Sequence, residues 1–339
     1  MRPVMSGLPA TTPADVHHPP YEEILALTCR APSVHNTQPW LWRLQGDRLD
    51  LLADVSRQLV HADPDGRDLL LSCGAVLQHL QVVAAGFGWS ARVRRLPNPA
   101  QPRLLAAIRF SPSARSAHAA AALRAVATRQ TDRRRFTSWP VPAERLHSLA
   151  ATGSQWGAQV LPVGGESVRT QLRRLTTQAD RIQRQDRGYL HELEAWVRAG
   201  RDGLVAGALP SHDSPVGPAN TVNRRFPPGT LADPPARVEA SGDGMLLVCT
   251  SADDPISRLR AGEAMSAVWL RATEEHLAVV PLSQAVEVDQ TRSEIRQAIL
   301  GNLAHPQILM RVGWLPVARS DAPRTPRRDL SEVLVRVRQ

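Results

Sequence analysis

The sequence predicts an α+β protein in which one structural unit is used twice. In the first half a strand (RLDLLAD), a helix (LLLSCGAVLQHLQVVAAGFGW) and a strand (RLLAAIRF) follow one another; in the second half DGMLLVCT, ISRLRAGEAMSAVWLRATEEHL and QILMRVGW repeat that order. Gly74 and Gly262 fall at matching places in the two helices, and Ala84 and Ala272 match further along. Because order and spacing agree together, an internal duplication is expected, and with it a chain that is a fused pseudo-dimer with long central helices.

Residues 1–20 are rich in Pro, Thr, Ala and His without periodicity, and read as a tail or an arm over the surface. YEEILALTCR spaces Ile24, Leu25 and Leu27 as an amphipathic helix that Pro32 must end near Arg30. After APSVHNTQPW, the stretch WLWRLQGDRLDLL alternates as two strands turning at Gln45 to Asp47. A helix is expected from Asp63, with Asp63 as its cap, Pro64 in its first turn, and Gly86 and Gly88 at its end. WSARVRRL and RLLAAIRF are strands, and residues 112–127 are Ala-rich and helical. A fresh helix follows PVPAERL, a short strand ends at VLPV, and residues 166–199 form one or two long helices. Residues 200–243 show no confident element, which suits a lid or a loose segment. The expected division is a tail at 1–20, a first half at 21–117, and a second half at 118–339 carrying the lid-like insertion at about 200–243.

Composition narrows the function. The 339 residues with 42% hydrophobic content can bury a large core, and the charge of +9 is carried by arginine alone, since the chain has no lysine. These arginines are scattered rather than gathered in one run, so phosphate-bearing small ligands are favoured over nucleic acid. Cys29, Cys73 and Cys249 are odd in number and far apart, which argues against disulfides and zinc and fits a reducing, cytoplasmic setting. No run approaches the length of apolar residues that a membrane helix needs.

Two stretches stand out chemically. APSVHNTQPW sets Ser33, His35, Asn36, Thr37 and Gln38 between a helix and a sheet, as a ligand loop would; a plain surface turn explains the Pro and Asn equally well. RQTDRRRF gathers arginines after the Ala-rich helix, and reads either as a solvated face or as a generic anion patch that would suit RNA or a phosphate-bearing ligand. His79 and His276 lack a second ligand at metal spacing and are read as structural; Cys73 and Cys249 are read as buried and unreactive. Trp40, Trp42, Trp269 and Trp314 are expected to pack the core and interfaces. Asp253 and Asp254 read as a cap before Ile256.

APSVHNTQPW, RQTDRRRF, the glycine-containing central helices and the closing RVGWLP with PRR after it resemble the flavin-binding nitroreductase superfamily, and most of all its double-length Acg family, over roughly residues 21–335. The resemblance implies two mostly antiparallel sheets with helices, joined as a pseudo-dimer whose FMN sites lie at the interface. Carried over by residue, it implies that Arg129, Thr131 and Arg133 hold the FMN phosphate, with Arg327 or Arg328 as the C-terminal basic position. Pro32, Ser33 and Asn36 would lie against the isoalloxazine ring, and Pro281, Leu282 and Ser283 would bring backbone close to its reactive nitrogen. The second copy of the loop, ATGSQWGAQV, has lost Pro, Ser and Asn at the matching places, and the stretch before Tyr21, TTPADVHHPP, has no Arg-rich motif, so one FMN per chain is expected. The implied activity is NAD(P)H-dependent electron transfer to nitroaromatics, quinones or similar acceptors by a monomeric pseudo-dimer; flavin sequestration or sensing under a lid is the alternative.

Overall fold

A computed structural model describes residues 18–134, 136–198, 203–209, 226, 229–231, 242–315 and 323–337. Most of the expected N-terminal tail and most of the expected lid at 200–243 lie outside the described residues. The first sheet has the strand order β3-β4-β2-β1-β9, formed by β1 (Trp40–Gln45), β2 (Arg48–Ala53), β3 (Trp89–Arg95), β4 (Leu104–Pro112) and β9 (Leu334–Arg336). The second has the order β5-β6-β8-β7, formed by β5 (Gln159–Pro162), β6 (Gly244–Thr250), β7 (Ala278–Leu282) and β8 (His305–Gly313). Every pairing is antiparallel except that of β1 with β9. The chain is thus α+β with two sheets rich in antiparallel pairs.

The alternation read in WLWRL has its expected result. Trp40 and Trp42 point into the core and are fully buried, opposite Ala53 and Leu51 of β2. Across the sheet, Leu49, Leu51 and Ile108 complete the same layer, onto which α1 (Tyr21–Thr28), α2 (Arg67–Gly86) and α3 (Ala119–Thr128) fold. In the second sheet the central strand β6 is buried along its whole length, between α4 (Ala143–Ser154) and α7 (Pro255–Glu274) on one side and a separate core around Leu172, Leu175 and Ile295 on the other. Those three residues belong to α5 (Glu166–Gln185) and α9 (Asp289–Ala298), with the short α8 (Gln284–Glu287) beside them. Asp186 breaks α5 from α6 (Arg187–Arg198), and α10 (Leu330–Val333) leads into β9.

The two long central helices, α2 and α7, meet backbone to backbone. A Cβ on Gly74 would lie 2.0 Å from the Leu259 carbonyl oxygen, and one on Gly262 would lie 2.0 Å from that of Leu71. Glycine is required at both places because any side chain would push the helices apart. Polar ties flank the crossing: the Glu263 carboxylate, fully buried, accepts from both Arg95 (2.6 and 2.7 Å) and Gln81 (2.9 Å). α2 is long and apolar enough to span a membrane by length and composition, but it is buried along most of its length as a core helix.

Two boundaries differ from the sequence reading. α2 starts at Arg67, after Gly66 in the left-handed region (φ 65°), and Pro64 lies in the preceding turn. Asp63 still caps it from outside, its Oδ2 accepting from the Leu69 amide at 2.8 Å. α3 starts at Ala119 rather than 112, because β4 pairs with β3 as far as Pro112 and Ser113 continues that edge by donating to the Gly88 carbonyl (2.8 Å). The cap read at Asp254 is present: its Oδ1 accepts from the Ser257 amide at 2.8 Å, with Pro255 in the first turn. Asp253 instead pairs with Arg67 and Arg258.

Candidate functional site

The 31–38 loop is locally strained and held from all sides. His35, Asn36 and Gln38 have positive φ (45°, 60° and 47°), an uncommon state for residues with side chains. Ser33 Oγ accepts from the Gln38 amide (2.9 Å), and the Val34 amide donates to Ser72 Oγ on α2 (3.1 Å). The Asn36 side chain donates to the carbonyls of Gly203 (3.1 Å) and Pro326 (3.0 Å) and accepts from Arg327 (3.0 Å). Gln38 Oε1 accepts from the Arg328 amide (2.9 Å), and Arg328 Nη1 reaches Asp54 (3.2 Å). The loop therefore clasps the C-terminal segment that carries Arg327 and Arg328. Asn36 is a brace, its amide engaged with protein.

Behind the loop lies a cluster of arginines. The Arg30 carbonyl accepts from Arg129 Nη2 (3.0 Å) and from Arg327 Nη2 (3.1 Å), and the Arg30 guanidinium donates to the Ala127 carbonyl (2.9 Å). The Arg129 guanidinium lies over the Trp269 ring at 4.6 Å. None of the three arginines pairs with a carboxylate among the described residues. Burial, then the charges of Arg327 and Arg30, pushes Arg129 well below the ordinary arginine range; burial and then Arg30 bring Arg327 down to about 10. Nε and Nη1 of Arg129 and Nε of Arg327 are buried and have no hydrogen-bond partner among the described residues. Three desolvated donors without an anion are costly, and they are the chemistry of a site for an anionic oxygen group such as a phosphate.

The arginine-rich stretch turns out to have two uses. Arg134 forms a buried pair with Asp132 (2.7 and 2.9 Å), and its carbonyl accepts from the buried Arg311 (3.1 Å), so this part is structural. Arg129 alone of the stretch joins the cluster around the Arg30 carbonyl; Thr131 is half-buried, and the Arg133 guanidinium lies 5.0 Å from the centre of the Phe226 ring. Pro281, Leu282 and Ser283 sit on the other sheet: Pro281 pairs with Met310, Leu282 packs with Phe136 and Met245, and Ser283 Oγ donates to Glu287 (2.6 Å). The structure thus joins Asn36, Arg129, Arg327 and, through Gln38, Arg328. Sequence reasoning passed over Arg30, whose place at the end of α1 beside the loop was the available signal, and it read Trp269 as packing the core or an interface.

No group of three or more potential metal ligands occurs among the described residues. All three cysteines are buried, and burial raises each thiol, those of Cys29 and Cys249 to about 11. α6 and Gly203 lie against the loop region: Glu192 accepts from the amides of His61 (3.3 Å) and Ala62 (2.9 Å), Gly203 accepts from Asn36, and Tyr189, Leu193 and Trp196 pack with Val34, Leu59 and Phe226.

Fold and site together define a two-sheet α+β protein with a cationic cluster assembled from distant parts of the chain. No protein-family model matches it. Two Mycobacterium tuberculosis proteins are similar over nearly their whole length. "Putative NAD(P)H nitroreductase Rv3131" is 38% identical over 325 residues, covering 94% of this chain and 93% of the relative. "Putative NAD(P)H nitroreductase acg" is 35% identical over 315 residues, covering 91% and 92%. The chain belongs to the nitroreductase superfamily, in the Acg family of these relatives. A solved nitroreductase with bound FMN from Bacteroides fragilis aligns at a TM-score of 0.39 and 11% identity, over 60% of this chain and 93% of that one. At that level of likeness it says nothing of this chain's ligand.

Proposed function

We propose that the protein is a cytoplasmic FMN-binding oxidoreductase that uses NAD(P)H and passes electrons to nitroaromatic, quinone or similar acceptors. The observation that carries this reading is the carboxylate-free cluster of Arg30, Arg129 and Arg327, with three buried N–H groups lacking an acceptor, at a loop of the expected ring-binding sequence. The nitroreductase names of the relatives agree with it. Arg129 and Arg327 hold the phosphate, oriented by the Arg30 carbonyl that both share. Thr131, Arg133 and Arg328 are assigned to the anion site by resemblance alone, while Pro32 and Ser33 face the ring from a loop that Asn36 braces. Pro281, Leu282 and Ser283 are assigned to the reactive edge of the ring by resemblance alone. When bound, FMN supplies hydride acceptance and electron delivery; the chain's part is to fix it, exclude water and leave one face open.

The same reading includes an internal duplication. It is supported by two sheets, each with a long glycine-bearing helix, and by the contact between those glycines. One site per chain follows, drawing the loop from one half and Arg129 from the other. A yellow purified protein whose flavin absorbance bleaches anaerobically with NADH or NADPH is expected; a colourless protein that takes up no added FMN overturns the proposal.

A second reading, a flavin-sequestering or sensing protein, is favoured by the cover that α6 and Gly203 place on the loop. A yellow protein that neither nicotinamide reduces would select it.

A further inference from the structure

The arginine cluster is not the only part of this pocket with unmet hydrogen-bonding capacity. His79 on α2 is fully buried, and its Nδ1 lies 3.1 Å from the Ala75 carbonyl oxygen and 2.8 Å from Ser266 Oγ on α7. A carbonyl can only accept, and the Ser266 hydroxyl donates to Gln78 Oε1 (2.7 Å), so the proton of the imidazole is on Nδ1. This leaves the Nε2 lone pair, and Nε2 has no partner among the described residues. Burial, followed by the charge of Arg129, pushes the imidazole well below its ordinary range, which keeps it neutral and Nε2 an acceptor.

His79 and Arg129 meet neighbouring turns of one helix face. His79 bonds Ser266, Arg129 stacks on Trp269, and residues three apart on a helix lie side by side. This helix face thus has unpartnered donors for an anion nearby (Nε and Nη1 of Arg129, Nε of Arg327) and one fixed acceptor for a proton. A dianion without an O–H, such as sulfate, fills the first and leaves the second unmet; a phosphate that carries a proton or lies next to a hydroxyl fills both.

We propose that His79 is a ligand-binding residue whose Nε2 accepts a hydrogen bond from an oxygen-borne proton of the phosphorylated ligand held by Arg129 and Arg327. Resting on the FMN reading above, this proton comes either from a ribityl hydroxyl or from the phosphate itself. The Gln78–Ser266–His79 chain fixes the tautomer, so that the pocket recognises a phosphorylated polyol as well as a charge.

Asparagine and glutamine at this position separate the two ring nitrogens. His79→Asn can keep the bonds to Ala75 and Ser266 but has nothing at Nε2, whereas His79→Gln places an amide near Nε2. The full-length chain, stripped of flavin, is titrated with FMN by quenching of flavin fluorescence, and its thermal midpoint without ligand is recorded alongside. His79→Asn is expected to melt with the wild type and bind FMN about tenfold more weakly, while His79→Gln recovers most of that loss. Repeating the titrations at about pH 5.5 and about pH 8 separates the sources of the proton. A ribityl hydroxyl gives the same ratio of wild-type to His79→Asn affinity at both, and a phosphate proton gives a ratio that falls to one at the higher pH. Histidine labelled with ¹⁵N supplies a readout in the wild type, where the Nε2 resonance of His79 shifts on addition of FMN. Wild-type FMN affinity in His79→Asn, or an Nε2 resonance that FMN leaves unmoved, overturns this assignment and leaves the FMN reading standing. A wild-type chain that binds no FMN overturns both.

Discussion

At the scale of single residues, the chain has accepted a local loss of stability where it is expected to bind. Arg129 is surrounded by charges of its own sign, its largest penalty is burial, and two of its donor atoms are unpartnered. A well-packed apolar side chain of similar reach is often no worse for stability than a buried charge, even a paired one. Arg129→Met is therefore expected to melt at or above the wild-type midpoint without ligand, while losing the stabilisation that FMN gives the wild type. Differential scanning calorimetry with and without FMN checks this, and a strongly destabilised ligand-free variant would show that the guanidinium is chiefly structural. Asn36→Ala should behave in the opposite way. It removes two donated bonds and one accepted bond that tie the loop to Gly203, Pro326 and Arg327, so its melting midpoint should fall even without ligand. The sequence showed these residue types but not their pairings. In the fold Asp132 neutralises Arg134, so that arginine of the basic stretch is structural.

At the scale of elements, the contact between α2 and α7 and the start of α2 are the sensitive points. Gly74→Ala would raise helix propensity, yet its Cβ would collide with the Leu259 carbonyl at 2.0 Å, backbone that cannot rotate away. Overpacking should win, with a loss of about 3 kcal/mol in urea denaturation; a gain would mean that the helices can separate freely. The α2 start is linked to pH through Asp63, whose carboxyl burial pushes up to about 7, Glu287 adding to the rise while the Leu69 and Asp68 amides oppose it. The folded chain then holds a proton that the unfolded chain releases near 3.8, so stability falls as pH rises from there to about 7 and is level above. Asp63→Asn keeps an oxygen for the Leu69 amide and should flatten this fall; identical pH slopes in the two proteins would remove Asp63 from the account. The periodic elements were legible because apolar spacing at 3.6 or 2 residues survives any tertiary setting, as in α1, α2, α7 and β1, and β6 was legible as a short continuous apolar run. The start of α2 was not, because Gly66 in a left-handed turn let Asp63 cap from a distance. β9 was not either: three residues are too few for a pattern, and its pairing partner β1 is almost three hundred residues away in sequence.

At the scale of the whole molecule, β9 explains how the site can be completed within one chain. By adding in parallel to β1, it carries the segment 325–328 past the 31–38 loop, where Asn36 and Gln38 hold it and Arg327 reaches the Arg30 carbonyl. Arg129 arrives from the exit of α3, packed against α2 and α7, so the pocket depends on three remote parts of the sequence meeting once. A second pocket related by the proposed duplication would need a second loop and a second set of arginines. The stretch corresponding to the loop is ATGSQWGAQV, where α4 runs on to Ser154 and no Pro, Ser, Asn pattern is present; the stretch before Tyr21, TTPADVHHPP, contains no arginine. The expected stoichiometry is therefore one FMN per chain, read by titrating the flavin-free protein at concentrations far above its dissociation constant. Removal of residues 323–339 should abolish that single site, since it takes away Arg327, Arg328 and the strand that positions them, while the second sheet, which has no strand from this segment, keeps its fold. Two flavins per intact chain, or full binding after the truncation, would show that the pocket around Arg30, Arg129 and Arg327 is not the flavin site.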